Sequence, residues 1–266
     1  MKYLFNEQEH LHTLDGKSLT GASSIGKVLF KPLTYWASGL ACAKFGWINP
    51  KYNSAEDCAV AMDEGFEKVK KLERDEYAKL VSDAYVAHAT SLKESAGKGK
   101  ELHDILERFC KAEMKRQNGK TFQYPNEDEM KKIKPFVDWS IDNVNKFISS
   151  EAHSFDEETW TGGISDAVVE LKDGKLAVGD FKSSKEAYMT QFLQATLYVI
   201  QIDKNGLWDS KGEKNKKLDK EIEAIIVVPF GAYKIVPEVR TNLAEYKEGA
   251  RAAVLLYRLL GIEKLQ

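Results

Sequence analysis

Asp166, Asp180 and Lys182 are the residues of this chain whose types and spacing could do chemistry together. Between the aspartates lie the apolar run Ala167-Val-Val-Glu-Leu171, the turn signal Lys172-Asp-Gly-Lys175 and a second run, Leu176-Ala-Val178. The pattern predicts two β-strands joined by a hairpin. Asp180 and Lys182 are two apart on the second strand, so both side chains leave the same face. A two-residue Asp173-Gly174 turn would set Asp166 opposite Phe181 and turn it away from Asp180. A three-residue loop, Lys172-Asp173-Gly174 with Gly174 left-handed, sets Asp166 opposite Asp180. We expect the second, which joins two carboxylates and one ammonium. Carboxylates that close repel unless a cation lies between them, and hard divalent ions such as Mg²⁺ or Mn²⁺ take oxygen ligands. Such an ion neutralises charge on a phosphodiester and lowers the pKa of an attacking water. A lysine beside it can orient or deprotonate that water.

Other polar residues gain meaning only from their position relative to these three. Gln194 and Tyr198 are four apart on a helix predicted over residues 186–201, so they share a face, with Gln191 one turn earlier. In Gly99-Lys-Glu-Leu-His103, the helical spacing of Leu102, Ile105, Leu106 and Phe109 buries one face and leaves His103 at its margin. Glu107, one turn on, either supports that imidazole or is solvated. Each motif alone has a bland reading. Asp-X-Lys is ordinarily a solvated strand edge, a helical histidine ordinarily structural, and Gln-X-X-X-Tyr ordinarily helix-surface polarity with a core tyrosine.

In combination, the order Gly163-X-X-Asp166, Asp180-X-Lys182, Gln194-X-X-X-Tyr198 resembles the RecB-like branch of the PD-(D/E)XK nucleases. That family often continues its second strand Lys-Thr, where this chain has Lys182-Ser183-Ser184. The upstream Gly99-X-X-X-His103 fits the family's Gly-X-X-X-His helix. The resemblance implies a Mg²⁺- or Mn²⁺-dependent nuclease. It implies metal ligands Asp166, Asp180, His103 and the main-chain carbonyl of Phe181, with Lys182 activating water and Gln194 and Tyr198 touching the catalytic residues or the substrate phosphate. Relatives carry a glutamate where Glu151 lies. A softer similarity runs from Ser18 to Trp36, like the subgroup of phage exonucleases and the mitochondrial genome maintenance exonuclease. There it implies a passage for a single strand, with Ser23, Ser24, Tyr35 and Trp36 as substrate-binding candidates, to which Gln191, on the face of Gln194, and the basic Lys185 are added. Tyr35, Trp36, Phe45 and Trp47 are equally well read as core aromatics.

Composition bounds the reading. A net charge of −2 over 266 residues excludes a protein that binds nucleic acid through its overall field. Affinity for DNA then requires a local groove, for which Lys27, Lys31, Lys98, Lys100 and Lys185 are candidates. Cys42, Cys58 and Cys110 all precede the motifs, so the four-cysteine iron–sulfur cluster of some RecB-like relatives cannot be assembled. Three scattered cysteines, no membrane-length apolar run and no signal-like start suggest a reducing, cytoplasmic setting.

The expected fold is α/β, a PD-(D/E)XK restriction-endonuclease-like core with a central mixed sheet flanked by helices and an N-terminal helical elaboration. It forms one domain: residues 1–97 mainly helical, 98–240 the core, 241–266 a closing helix. Helices are expected over 55–117, with a break at Gly97-Lys-Gly99, and over 126–148. A buried strand is expected over 221–228, a helix over 243–260, and a solvated loop at 211–217. The expected activity is exonuclease action on single-stranded DNA ends in repair, recombination or phage DNA processing. The alternatives are a non-catalytic nucleic-acid-binding or assembly protein on the same fold, or a restriction-type endonuclease.

Overall fold

The protein is described here by a computed structural model covering residues 1–29, 34–213, 215–230 and 236–261. It divides into two compact units, Met1–Phe30 with Gly99–Gln266, and Lys31–Lys98. The chain begins with strands β1 (Tyr3–Asn6), β2 (Leu11–Leu14) and β3 (Lys17–Ser18), an antiparallel sheet within the region 1–97 expected to be mainly helical. The signal was local: Asp15-Gly16 forms a two-residue turn with φ of +48° and +77°, the geometry that matches strand twist, and Leu14 pairs with Lys17 across it. β4 (Thr20–Gly21) and the single turn α1 (Ala22–Ile25) follow.

The second unit is helical: α2 (Thr34–Ala43), α3 (Ala55–Lys70), α4 (Arg74–Tyr85) and the first turns of α5 (Ala87–Gln117). The helical run breaks at residues 71–73 and at Val86, not at Gly97-Lys-Gly99, through which α5 is continuous. An interior glycine costs a helix only about 1 kcal/mol, which packing of the flanking turns offsets.

The first unit then continues with α6 (Glu127–Asn143), β5 (Val144–Asp156), β6 (Thr161–Leu171), β7 (Leu176–Lys182), α7 (Met189–Asn205), β8 (Leu207–Trp208), β9 (Asn215–Lys216), β10 (Ile222–Pro229), β11 (Glu238–Arg240) and α8 (Leu243–Leu259). α6 starts at a reciprocal cap in which Asn126 and Glu129 each accept the other's main-chain N–H. It ends at Asn143, five residues short of the expected Ile148, because residues 144–148 are drawn into β5. β9 lies within the 211–217 segment read as a loop. Among the described residues the main sheet has the order β11-β10-β7-β6-β5-β8-β9, with β4 beside β6. It is mixed: β10 is parallel to β7, joined by the α7 crossover, while β5, β6 and β7 are antiparallel neighbours.

Both faces of the sheet are covered. Val168, Val178, Ile225 and Val227 pack against α7 and α8, through residues such as Leu197 and Val254. Ala167, Val169, Ile226 and Val228 pack against α5 and α6, through Leu106, Phe109, Ile133 and Phe136. The protein is therefore mixed α/β, a central sheet flanked by helices. Among the described residues no helix is long and apolar enough to cross a membrane, and the three cysteines are free.

Candidate active site

The β6–β7 hairpin closes through the three-residue loop. Leu171 N donates to Lys175 O at 2.8 Å, Gly174 N to Leu171 O at 2.9 Å, and Gly174 has φ +85°. The register Ala167↔Gly179 through Glu170↔Leu176 consequently sets Asp166 opposite Asp180. On the other side of β6, Ser150↔Ala167 and Ala152↔Ser165 bracket Glu151, which faces Asp166 in the same row. Glu151 is left-handed at φ +53° in mid-strand, a strained state that recurs at functional sites.

Two glycines explain how helices reach this row. A Cβ on Gly99 would lie 3.1 Å from both Cβ and Oγ of Ser183, so the glycine lets α5 approach the end of β7 and bring His103, one turn on, to Asp166. A Cβ on Gly163 would run into the Tyr198 ring, so the glycine seats α7 against β6.

The hydrogen bonding is uneven. Asp166 Oδ2 accepts the Phe181 N–H, and its Oδ1 lies 3.4 Å from His103 Nδ1. Asp180, 1% exposed, accepts from Lys182 Nζ at 2.8 Å and Gln194 Nε2 at 3.4 Å, both on Oδ1. Gln194 Nε2 also donates to Tyr198 Oη at 2.6 Å. Asp180 Oδ2 is buried with no hydrogen-bond partner among the described residues, and an unmet buried acceptor costs about 1–3 kcal/mol.

The electrostatics point the same way. Burial, reinforced by Asp166 and opposed by Lys182, raises the Asp180 pKa. Burial, with Asp166 and Glu107, pushes Glu151 up to about 7. Burial alone would lower His103 and Lys182, yet the neighbouring carboxylates outweigh it and both are raised. The acids are raised first by burial, but two bases raised against their burial mean a local excess of negative charge that favours an added cation. The phenol of Tyr198 is held well above its ordinary range by burial.

A divalent ion fits this donor set. Asp180 Oδ2 is a ready oxygen ligand beside a second carboxylate, and Mg²⁺ commonly uses one or two carboxylates and fills its shell with water and phosphate. Among the described residues no three His, Cys, Asp or Glu side chains are gathered tightly enough to grip an ion unaided. The oxygens of Asp166 already face the Phe181 amide and His103.

Several sequence expectations change. The helix after β7 begins at Met189, not residue 186, because Ser184 Oγ bonds Glu186 O at 2.8 Å in the preceding turn. Gln191 takes part in that helix start: its Oε1 accepts Tyr188 N and its Nε2 donates to Ser184 Oγ, each at 2.9 Å. Glu107 pairs with Lys111 rather than with the His103 imidazole. Lys27, Lys100 and Lys185 are exposed; Lys31 and the side chain of Lys98 lie outside the described residues. Tyr35 and Trp36 sit on α2 in the helical unit, 91% and 39% exposed. Ser23 and Ser24, by contrast, line a cavity of about 720 Å³ that Gln194 and Tyr198 also line. Its other walls include His10, His12 and Trp160, which sequence reasoning missed: His10 lies in the left-handed turn before β2 and only His12 is on the strand, so no periodic pattern joins them.

No protein-family model matches this chain, and no curated protein shows significant similarity to it.

Proposed function

We propose that the chain is a metal-dependent deoxyribonuclease of the RecB-like PD-(D/E)XK type, acting in a reducing, cytoplasmic setting. One observation carries the reading: the unpartnered, buried Oδ2 of Asp180, beside Asp166 and Lys182 where the carboxylates hold Lys182 and His103 above their ordinary values against burial. The four short motifs lend support, since they lie on α5, β6, β7 and α7, with α6 and β5 intervening after α5, and their polar residues meet at the two aspartates.

Asp166 and Asp180, with His103 and the Phe181 carbonyl, would hold Mg²⁺ or Mn²⁺. When bound, the ion supplies Lewis-acid neutralisation of the phosphate and a more acidic water. Lys182, kept protonated by the carboxylates, donates from Nζ and so orients the attacking water and offsets the negative charge that grows on the phosphate. Gln194 holds Asp180 and Tyr198 in register. Tyr198, neutral and donating, is available to a phosphate oxygen.

The test incubates the protein with end-labelled single- and double-stranded DNA, with free and blocked ends, in Mg²⁺, Mn²⁺ or EDTA. Metal-dependent shortening of single strands from free ends is the expected result. Products from blocked or circular strands would make it an endonuclease, and intact DNA in every metal would overturn the reading.

A further inference from the structure

The cavity beside the carboxylates has a chemistry opposite to theirs. No lysine or arginine lines it among the described residues, and its one carboxylate, Glu9, is exposed. The His12 imidazole is held neutral, because burial, with His153 and His10, pulls its pKa to about 3. The other polar groups on its walls include the exposed His10 imidazole, the hydroxyls of Ser23, Ser24 and Tyr198, the Gln194 amide and the Trp160 indole. Phosphate recognition needs cations or clustered N–H donors. Uncharged hydrogen-bonding groups around an aromatic wall suit a nucleobase and its sugar instead. The volume, about 720 Å³, lies in the range of small-molecule sites.

Trp160 is built as a rigid platform. It closes the β5–β6 hairpin in the left-handed conformation, φ +48°. Its Nε1 donates to Ser18 O at 2.8 Å, and its carbonyl accepts Thr20 N at 3.1 Å. One side of the indole packs on the cluster of Tyr3, Leu14, Leu19 and Phe155, while the ring also lines the cavity. Behind it the hairpin is fastened by a buried polar chain. Asp156 Oδ2 accepts Thr159 Oγ1 at 2.6 Å, Thr159 Oγ1 meets Thr161 Oγ1 at 2.8 Å, and Gln201 Nε2 donates to Thr161 Oγ1 at 2.9 Å. A ring held this firmly loses little entropy when a base stacks on it. Gln194 joins the cavity to the catalytic row, since the same side chain lines one and bonds Asp180 in the other.

We propose that this cavity holds the base and sugar of the nucleotide adjoining the scissile phosphate, with the base stacked on Trp160, so that the strand is unpaired where it is cut. The proposal rests on the nuclease reading and deepens it by naming the substrate: a base seated in a pocket cannot be paired at the same time.

The test has two arms. In EDTA, wild type, Trp160→Phe and Trp160→Leu are titrated with deoxyadenosine or inorganic phosphate while tryptophan emission is followed. In Mn²⁺, cleavage is measured on single-stranded oligonucleotides carrying one abasic residue at successive positions. Deoxyadenosine, not phosphate, is expected to quench the wild type; the Leu variant, which lacks the Trp160 emitter, serves only to assign the quench to that ring and not to one of the other tryptophans. The KM of the Leu variant rises about tenfold, the loss appearing in KM rather than kcat, with the Phe variant between the two. An abasic residue beside the cut raises the wild-type KM by a similar factor and adds nothing to the defect of the Leu variant. Equal KM values for wild type and Leu variant, or indifference to the abasic residue, overturn the pocket while cleavage itself stands. If no metal supports cleavage, the nuclease reading fails instead. The EDTA titration, which needs no catalysis, then decides whether the cavity is a nucleoside site.

Discussion

In the row where Asp166 of β6 meets Asp180 and Lys182 of β7, charge is crowded and incompletely paired. Beneath the N-terminal sheet Tyr3, His12 and His153 are neutral and satisfy one another. The Tyr3 hydroxyl bonds His12 Nδ1 at 2.6 Å and His153 Nδ1 at 3.3 Å, and all three shifts, phenol up and imidazoles down, come first from burial favouring the uncharged form. At the carboxylate row, by contrast, bases are raised against their burial, and one buried oxygen has no partner. Burial of titratable residues therefore does not by itself mark a functional site. Charge retained at a cost, with a donor or acceptor left open, does.

The comparison breaks most visibly at Asp180. An aspartate whose folded pKa is raised disfavours folding once ionised, so Asp180→Asn should keep or raise the melting temperature. It should also lower cleavage on the order of a thousandfold, because the ligand charge is gone. A variant that cleaves normally in Mg²⁺ would return the row to a structural role.

Tyr3→Phe is the converse. It strands two imidazole nitrogens, so it should cost about 1–3 kcal/mol in denaturant unfolding while the metal concentration that supports cleavage stays as in wild type. Unchanged stability would mean that the trio is not the closed unit its geometry describes.

The same trio predicts an acid limb. With its folded pKa lowered to about 3, His12 contributes stability that is fully present above its unfolded value near 6.5 and lost as pH falls toward 3, at up to about 1.4 kcal/mol per pH unit. Melting curves between pH 7 and pH 4 should therefore be flatter for His12→Gln than for wild type. An equal slope would assign the acid limb to other groups.

The smallest effect belongs to Glu107, whose partner Lys111 is half exposed. Glu107→Gln should move stability by no more than about 0.5 kcal/mol and leave cleavage within twofold. A tenfold loss of cleavage would move Glu107 into the charged row and redraw its edge.

Much of the row could be read from short spans of sequence. Lys172-Asp173-Gly174 fixes the hairpin loop, the loop fixes the register, and the register sets Asp166 opposite Asp180. Gln194 and Tyr198 share a helix face by spacing alone, and the structure joins them by a hydrogen bond. These are local matters, decided by turn chemistry and by the periods of strand and helix. Other features depend on partners far along the chain. Glu151 enters the row only through the pairing of β5 with β6, which includes two register shifts. Gly99 owes its role to Ser183, and Gln191 caps the start of α7 through Tyr188 N. Trp160 becomes a cavity wall only because the Ser18–Thr20 segment folds against it. Periodicity in one sequence says which side of an element is apolar; which surfaces then meet is decided by the burial and hydrogen bonding of the whole chain, and only the tertiary structure contains that.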